Sequence, residues 1–362
     1  MTPRRRILFG KLSEQQAIIN AFKSRVAADA GTFEAEDCLN QTVARLRALG
    51  LYEQASLILT PNAYKASKLY AIKPTNGSAD PSFTRAGAGS RRNLSGSFDA
   101  LANNVPVLNY PSGGSCPFLS YQAQRTNLFL NPEAAVTQNI TVVVGQVYTI
   151  TTFGTVTATC SNAGVGVAAN GESFTFTATT TTLAVTISGL SGQAYVNCGL
   201  GAWAWQTPIM IGAVSTTRPA DVVPIQTNAA LFGAGGVFTW KMKIRDNLSF
   251  ANSGIHSSGH YVRAAVGNGL FLSPSSGTRL RLWTVAAGVL YTTLVNNLTM
   301  VVTSNGSVVN VWVNGVKVVN NFSYAIAADS YGFQTNSYIN VEAFELTPLV
   351  LTDAECTALS LT

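Results

Sequence analysis

Paired carboxylates are the first side chains in this sequence that could do chemistry. Glu342 and Glu345 are three residues apart, and a glycosidase needs two carboxyl groups about 5–9.5 Å apart across the scissile bond. On a continuous strand, residues three apart face opposite sides of the sheet. The spacing therefore disfavours a hydrolytic pair, and the chain is predicted not to be an enzyme.

The two histidines are the second candidate. His256 and His260 are four residues apart, which on a helix would make half of a metal site. Gly254, Gly259 and the serines between them instead predict a polar surface turn. With no third histidine to serve a catalytic triad, we expect neither catalytic residues nor a metal site.

Aromatic side chains offer a binding chemistry instead. Trp203 and Trp205 are two residues apart, so on a strand both face the same way. That face is either a platform on which a sugar stacks or part of a core. Trp283 and Tyr261, on further predicted strands, are additional candidates for glycan binding with the same alternative.

Composition narrows the function classes. Charged residues make up only 11% of the 362 residues, and the net charge is +6. The positive charge comes largely from the N-terminal third, which holds Arg4, Arg5, Arg6 and the pair Arg91–Arg92. Because the net charge is small for this length and the rest of the chain is nearly neutral, nucleic-acid binding is disfavoured. No apolar run is long enough to insert into a membrane, and none follows the N-terminal arginines as a secretory signal requires.

The five cysteines show no C-x-x-C spacing. This argues against a zinc site and against a disulfide scaffold. We expect buried free thiols, and the sequence leaves open whether Cys160 and Cys198 pair.

The elements that must position these residues change in character along the chain. Residues 1–60 are predicted to be a basic extended arm over residues 3–6, a helix with an apolar stripe ending near Gly31, a second helix over 32–49 and a short third helix within 51–59. Short helices bury little surface alone and need either the next domain or other subunits. Together with Arg4–Arg6, Phe22 and Leu46 are therefore candidates for docking onto partner chains.

The rest of the chain is predicted to be β. Residues 61–125 hold scattered prolines and glycines and are interpreted as an irregular connector. β-Branched runs then predict one β-sandwich over 126–228 and a second over 229–362, with hairpins at Asn305-Gly306 and Asn314-Gly315. The expected fold class is α+β, mainly β: a short helical segment, a connector and two antiparallel β-sandwich (jelly-roll) domains.

Three stretches resemble phage virion proteins. Residues 63–86 are similar to the segment that precedes the β-domains in many fibre proteins, particularly in phages of Bacteroidetes hosts. Gln124-Arg-Thr-Asn-Leu and Thr216-Thr-Arg-Pro-Ala-Asp resemble the opening and closing phrases of a carbohydrate-binding-like sandwich in phage tail proteins. Residues 230–362 resemble the concanavalin A-like, laminin-G-like jelly roll, through the hairpin phrase at 298–318 and the ending at 344–359.

The resemblance implies a structural component of a bacteriophage virion that displays lectin-like domains. Its position in the tail, head, collar or baseplate stays open. Relatives that bind calcium present Asp/Asn clusters, whereas residues 247–328 contain neither Asp nor Glu, so calcium and other cofactors are disfavoured.

The expected partners are other virion proteins, sister chains in a homotrimer and host-surface polysaccharide. The low charge and large apolar content suit contacts between subunits. The alternative is a purely structural capsid-decoration, collar or baseplate protein without a ligand. A bacterial cell-surface adhesin is disfavoured by the missing export signal.

Overall fold

The computed structural model describes residues 3–122, 124–201, 205, 207–210, 216–221, 223–245, 259–263, 269–272, 279–283, 288–292, 297–323, 328, 330–333 and 339–362. This part of the chain is mainly β, with antiparallel sheets and short helical segments, as predicted. Within it, no helix is both long and apolar enough to span a membrane.

The helices and the strands of the N-terminal third come first. They are α1 (Pro3–Arg25), α2 (Glu36–Ala48), β1 (Leu57–Lys65), β2 (Lys68–Lys73), β3 (Gly89–Arg92), β4 (Phe98–Leu101), β5 (Leu108–Asn109) and β6 (Phe118–Tyr121). The middle β-domain follows with β7 (Arg125–Asn127), β8 (Gln138–Thr141), β9 (Val147–Asn162), β10 (Gly166–Ala169), β11 (Ser173–Thr177), β12 (Thr182–Leu200) and β13 (Thr216–Arg218).

The remaining elements form the C-terminal sandwich. They are β14 (Val223–Thr227), β15 (Val237–Arg245), β16 (Gly259–Arg263), β17 (Gly269–Leu272), β18 (Arg279–Trp283), β19 (Gly288–Thr292), β20 (Leu298–Asn305), β21 (Val308–Val313), β22 (Val316–Ser323), β23 (Ser330–Phe333), β24 (Ile339–Thr347) and α3 (Asp353–Ser360).

Two antiparallel sheets make up the C-terminal sandwich. One has the order β2-β1-β24-β15-β20-β21-β22, and the other has the order β14-β23-β16-β17-β18-β19. Tyr331 of the second sheet packs against Phe344 of the first with ring centroids 5.8 Å apart. The predicted Asn-Gly turns are confirmed: Asn314 and Gly315 both have positive φ and join β21 to β22, and Gly306 turns β20 into β21.

The segment predicted to be an irregular connector contributes to this sandwich. β1 pairs with β24 through Leu57↔Leu346, and β6 pairs with the other half of β24 through Val341↔Leu119. The predicted third helix over 51–59 is also wrong where β1 begins at Leu57. Leu346 follows Leu57 by 289 residues and Val341 follows Leu119 by 222 residues, so local periodicity does not reveal these pairings.

The two N-terminal helices pack on the chain's own sheet. Ile19, Phe22 and Leu46 belong to a buried apolar cluster that includes Val301 and Trp312 of the C-terminal sandwich. Phe22 and Leu46 are therefore covered by their own chain, which contradicts their predicted role in docking to other chains. The next domain, rather than another subunit, supplies the partner that the short helices require.

The basic N-terminus is helical rather than extended. α1 begins at Pro3, a residue that suits the first turn because the missing N–H has no intrahelical acceptor there. Arg4, Arg5 and Arg6 lie in the first turns of α1, and their side chains lie outside the described part.

The middle β-domain is built on two long strands. β9 and β12 pair along two arms, interrupted by register shifts between Ser188 and Tyr195. Side chains of both arms, such as Cys160 and Cys198, share one apolar core. Both of these thiols are free and buried, as is Cys356, which confirms the expectation for three of the five cysteines.

The strands β7 and β13 pair with each other and close this domain. β7 pairs with β13 through Arg125↔Arg218. Asp221 is fully buried, and its Oδ1 accepts from Arg85 while its Oδ2 accepts from Arg218 (2.7 Å) and from the Gln122 N–H. One carboxylate thus connects the middle β-domain to the segment before β3.

Cys38 and Cys116 form a disulfide across 78 residues. The expectation of free thiols is wrong for this pair. α2 and the segment before β6 are brought together by tertiary packing, so sequence spacing alone gives no sign of the bond.

Candidate functional site

A groove of about 1020 Å³ lies between the β3–β4 hairpin and the middle β-domain. We refer to it below as the groove. The hairpin side contributes Arg92, Ser95, Gly96, Ser97 and Phe98, and the segment before β6 adds Ser112. The middle β-domain contributes Thr151, Phe153, Gly154, Thr155, Asn170, Gly171, Ser173, Ser191, Gly192, Gln193 and Trp205.

The bend of β9 and β12 shapes the domain side of the groove. Gly154 has φ of +70°, and a Cβ at this position would lie 2.2 Å from the Gln193 carbonyl oxygen. Only glycine permits this close approach of two backbones. The bend therefore turns Thr155, Ser191 and Gln193 toward the hairpin.

The hairpin is held in place by one side-chain amide and an aromatic cluster. Gln193 accepts from the Phe98 N–H (2.7 Å) and donates to the Phe98 carbonyl (2.8 Å). The Phe98 ring makes edge contacts with Phe153 and Tyr195 at 5.3 and 5.9 Å between centroids. Ser90 adds a hydrogen bond to the Pro208 carbonyl.

The chemistry of the groove is polar and almost uncharged. Its hydroxyl and amide groups both donate and accept hydrogen bonds, and Phe98, Phe153 and Trp205 supply apolar surface. Arg92 is the single charged residue in the described lining, and no carboxylate belongs to that lining. Such a surface suits a neutral ligand rich in hydroxyl groups, and it lacks the two carboxyl groups of a glycosidase.

Trp205 lies in the groove wall with only 5% of its surface exposed. One face of its ring is covered by the Arg125 guanidinium, 4.2 Å from the ring centroid. Its indole N–H has no acceptor among the described residues. Trp205 therefore contributes a largely covered ring and a buried, unpaired N–H to the groove wall rather than the open stacking platform considered from the sequence.

The structure gives the strands of two of the other three aromatic candidates for glycan binding, but not their side chains. Trp203 lies outside the described residues. Trp283 lies on β18 and Tyr261 on β16, and the structure describes neither side chain. Their roles in glycan binding stay predictions.

The structure describes one of the two histidines. His256 lies outside the described residues, and His260 lies on β16 rather than in the predicted turn. Among the described residues, no three His, Cys, Asp or Glu side chains gather in one place.

The predicted orientation of Glu342 and Glu345 is wrong. A β-bulge in the pairing of β15 with β24 falls at Glu342, so both carboxylates meet the same row of basic side chains. Glu345 pairs with Arg45, and Glu342 pairs with Lys243 and Arg245. A bulge adds one residue to a strand and so reverses the expected alternation.

Sequence reasoning missed Asn170, Gln193 and Phe98 as groove residues. Each is an ordinary polar or apolar residue in its own strand or turn. The groove exists because the hairpin, about 95 residues away from Gln193 in the chain, docks on the bend of β12.

Comparisons with known proteins assign this chain to no family. No family model and no curated protein matches the chain. Among solved structures, Trypanosoma rangeli sialidase is similar at 16% identity and a TM-score of 0.29, over 38% of this chain and 25% of the sialidase chain.

Two further structures are similar to a comparable extent. Domain 4 of AbnA, a GH43 extracellular arabinanase from Geobacillus stearothermophilus in complex with arabinotriose, has 12% identity and a TM-score of 0.28, over 39% of this chain and 73% of that one. A botulinum neurotoxin type C structure concerned with binding of two ganglioside molecules has 14% identity and a TM-score of 0.30, over 40% and 41%. These TM-scores are too low to transfer any activity to this chain.

Proposed function

We propose that this protein is a non-enzymatic structural component of a bacteriophage virion, which binds host-surface glycan through the groove. The groove carries the glycan part of the proposal. A volume of about 1020 Å³ is large enough for an extended oligosaccharide, since drug-sized ligands occupy about 300–1,000 Å³. The virion part is supported by the three phrases that resemble phage structural proteins.

The recognition chemistry follows from the lining. Sugar hydroxyls would exchange hydrogen bonds with Asn170, Ser97 and Ser191, and the apolar face of a sugar ring would pack on the half-buried ring of Phe98. The absence of a carboxylate from the described lining favours binding without hydrolysis.

A matched pair of asparagines tests the groove. Asn170 and Asn162 are both exposed and both have positive φ, at +50° and +68°, but only Asn170 lines the groove. Glycine tolerates this backbone conformation, so Asn170→Gly and Asn162→Gly remove the amide without strain.

The measurement is a glycan array on the full chain, followed by calorimetry with the best ligand. We expect Asn170→Gly to weaken binding at least fivefold and Asn162→Gly to leave it unchanged. Trp205→Phe should also weaken binding, since it keeps a ring and removes the unpaired N–H. A silent array, or equal binding by both asparagine variants, would refute the glycan proposal.

A structural role without a ligand is the second candidate, and one surface favours it. Val143, Val144 and Val165 are exposed at one end of the middle β-domain, with Val165 80% exposed. The turns that carry them are joined by hydrogen bonds to residues 178–182. An apolar end of this kind suits contact with sister chains in a homotrimer or with another virion protein.

Mass photometry separates the oligomer from the monomer. A trimer of the wild type that becomes a monomer in Val143→Ser/Val165→Ser supports assembly through this end. A stable monomer at micromolar concentration would count against the homotrimer.

A further inference from the structure

A second cavity, of about 280 Å³, is enclosed by α2, β1, β15, β24 and Thr362. We refer to it as the basic cavity. Its polar lining includes Arg45, Asn62, Lys243, Arg245, Glu342 and Thr362, and the disulfide of Cys38 and Cys116 forms part of the wall. It shares no residue with the groove.

The basic cavity holds more positive than negative charge. Lys241, Lys243 and Arg245 alternate along β15 and so share one face, and Arg45 joins them from α2. The facing carboxylates are Glu342 and Glu345, each engaged in ion pairs with this row. The surplus is two positive charges, or one if Thr362, whose main-chain oxygen accepts from Lys243, carries a carboxylate.

Lys241 shows how incompletely this charge is compensated. It is 1% exposed, and its Nζ donates to the Thr362 hydroxyl (2.9 Å) while lying 3.8 Å from Glu345. Burial lowers the pKa of Lys241 to about 8 despite the opposing effect of Glu345, and Arg45 and Lys243 lower the pKa further. A bound anion would supply the missing negative charge.

Arg245 has donors to spare at the mouth of the basic cavity. It bonds Glu342 through Nε, and neither terminal guanidinium nitrogen donates to a described residue. Its side chain is 33% exposed, so a ligand can reach it. The planar guanidinium suits a carboxylate, which it binds through two parallel hydrogen bonds.

Asn62 adds an unsatisfied acceptor. Its side chain is buried, its amide nitrogen donates to the Thr42 hydroxyl (3.3 Å), and its Oδ1 has no donor among the described residues. A buried acceptor without a partner destabilises the folded state. A hydroxyl group on the ligand would satisfy it.

We propose that the basic cavity binds a small hydroxy acid, the chemical class that includes acidic monosaccharides. The carboxylate is held by Arg245 and Lys243, and a hydroxyl donates to Asn62 Oδ1. The cavity volume lies near the lower end of the range for drug-sized ligands, which fits a single small molecule. This site is independent of the groove and of its proposed glycan.

Calorimetric titration of the full chain tests the proposal with D-glucuronate as the probe. D-Glucose, which has the hydroxyls without the carboxylate, and sulfate, which has the charge without the hydroxyls, are the comparison ligands. We expect glucuronate to bind at least tenfold more tightly than either. Arg245→Gln should weaken glucuronate binding at least tenfold, and Asn62→Ala should reduce its preference over sulfate.

Lys317→Gln is the matched control, because Lys317 is a partly exposed cation paired with Asp353 outside the cavity. It should leave glucuronate binding unchanged. Thermal melting verifies that each variant is folded. The proposal is overturned if glucuronate fails to bind at millimolar concentration, if glucose or sulfate binds equally well, or if Arg245→Gln binds like the wild type.

Discussion

At the scale of single residues, Asp221 is the charge on which two buried arginines depend. Arg85 and Asp221 are fully buried and Arg218 is nearly so. Asp221→Asn keeps the shape and removes the charge, which leaves two guanidinium groups without a counter-ion. We expect a loss of about 3–5 kcal/mol in the free energy of unfolding, measured by urea denaturation.

Asp353→Asn is the control for that experiment. Asp353 pairs with Lys317 on the surface and is 71% exposed, so its pair is screened by water and contributes at most about 1 kcal/mol. Equal effects of the two substitutions would show that Asp221 does not carry the network.

Lys241 should make the free energy of unfolding depend on pH. Its pKa falls from 10.5 to about 8 on folding, so between these values the unfolded chain binds more protons than the folded one. The free energy of unfolding should therefore rise with pH across this window by roughly 3 kcal/mol from this group. The Lys241→Met variant should lack this increase in the free energy of unfolding. The prediction is contradicted if the free energies of unfolding of the two proteins change in parallel over pH 7–10.5.

At the scale of elements, one glutamine holds the β3–β4 hairpin on the middle β-domain. Gln193→Ala removes both hydrogen bonds to the Phe98 backbone. We expect the Phe98 amide to exchange with solvent at least tenfold faster, since local opening costs less than global unfolding. The groove should widen with little change in global stability.

A second glutamine provides the control for the hairpin. Gln138 bonds the Leu130 N–H and carbonyl in the same manner, at 3.0 and 3.1 Å. Gln138→Ala should release Leu130 and leave Phe98 protected. If both variants expose Phe98 equally, Gln193 is not what docks the hairpin.

Some secondary-structure elements could be predicted from the sequence and others could not. The Asn314-Gly315 turn was predictable because both residues suit positive φ locally. β1 was not, because one of its two neighbours in the sheet, β24, lies at the other end of the chain, and Pro61 within β1 argues against a strand. Trp205 could be recognised as a groove candidate, whereas Asn170 and Gln193 required the docked hairpin to become one.

At the scale of the whole molecule, the disulfide ties the helical layer to the sheet. Cross-linking a loop of this size contributes about 4 kcal/mol in the chain-entropy description. Cys38→Ser/Cys116→Ser should therefore unfold at lower urea concentration than the wild type. Reductant should destabilise the wild type alone, and an equal response of both proteins would contradict the bond. Such a bond persists in oxidising surroundings, which fits the proposed particle once it is outside the cell.

The C-terminal sandwich should not fold without the N-terminal third. A fragment of residues 223–362 keeps β14 but lacks β1 and β6, which pair with the same edge of β24, so that edge would present unpaired backbone groups. It also lacks α1 and α2, which cover Val301 and Trp312. We expect this fragment to aggregate or to show no cooperative unfolding transition.

A fragment of residues 124–227 is the contrasting case. All members of the apolar core of the middle β-domain lie within residues 128–198, and the closing strands β7 and β13 are both retained. This fragment should unfold cooperatively in circular dichroism, although it loses Arg85 as a partner for Asp221. A cooperative transition of the 223–362 fragment would mean that the N-terminal third is an appendage, free to serve the docking role first predicted for it.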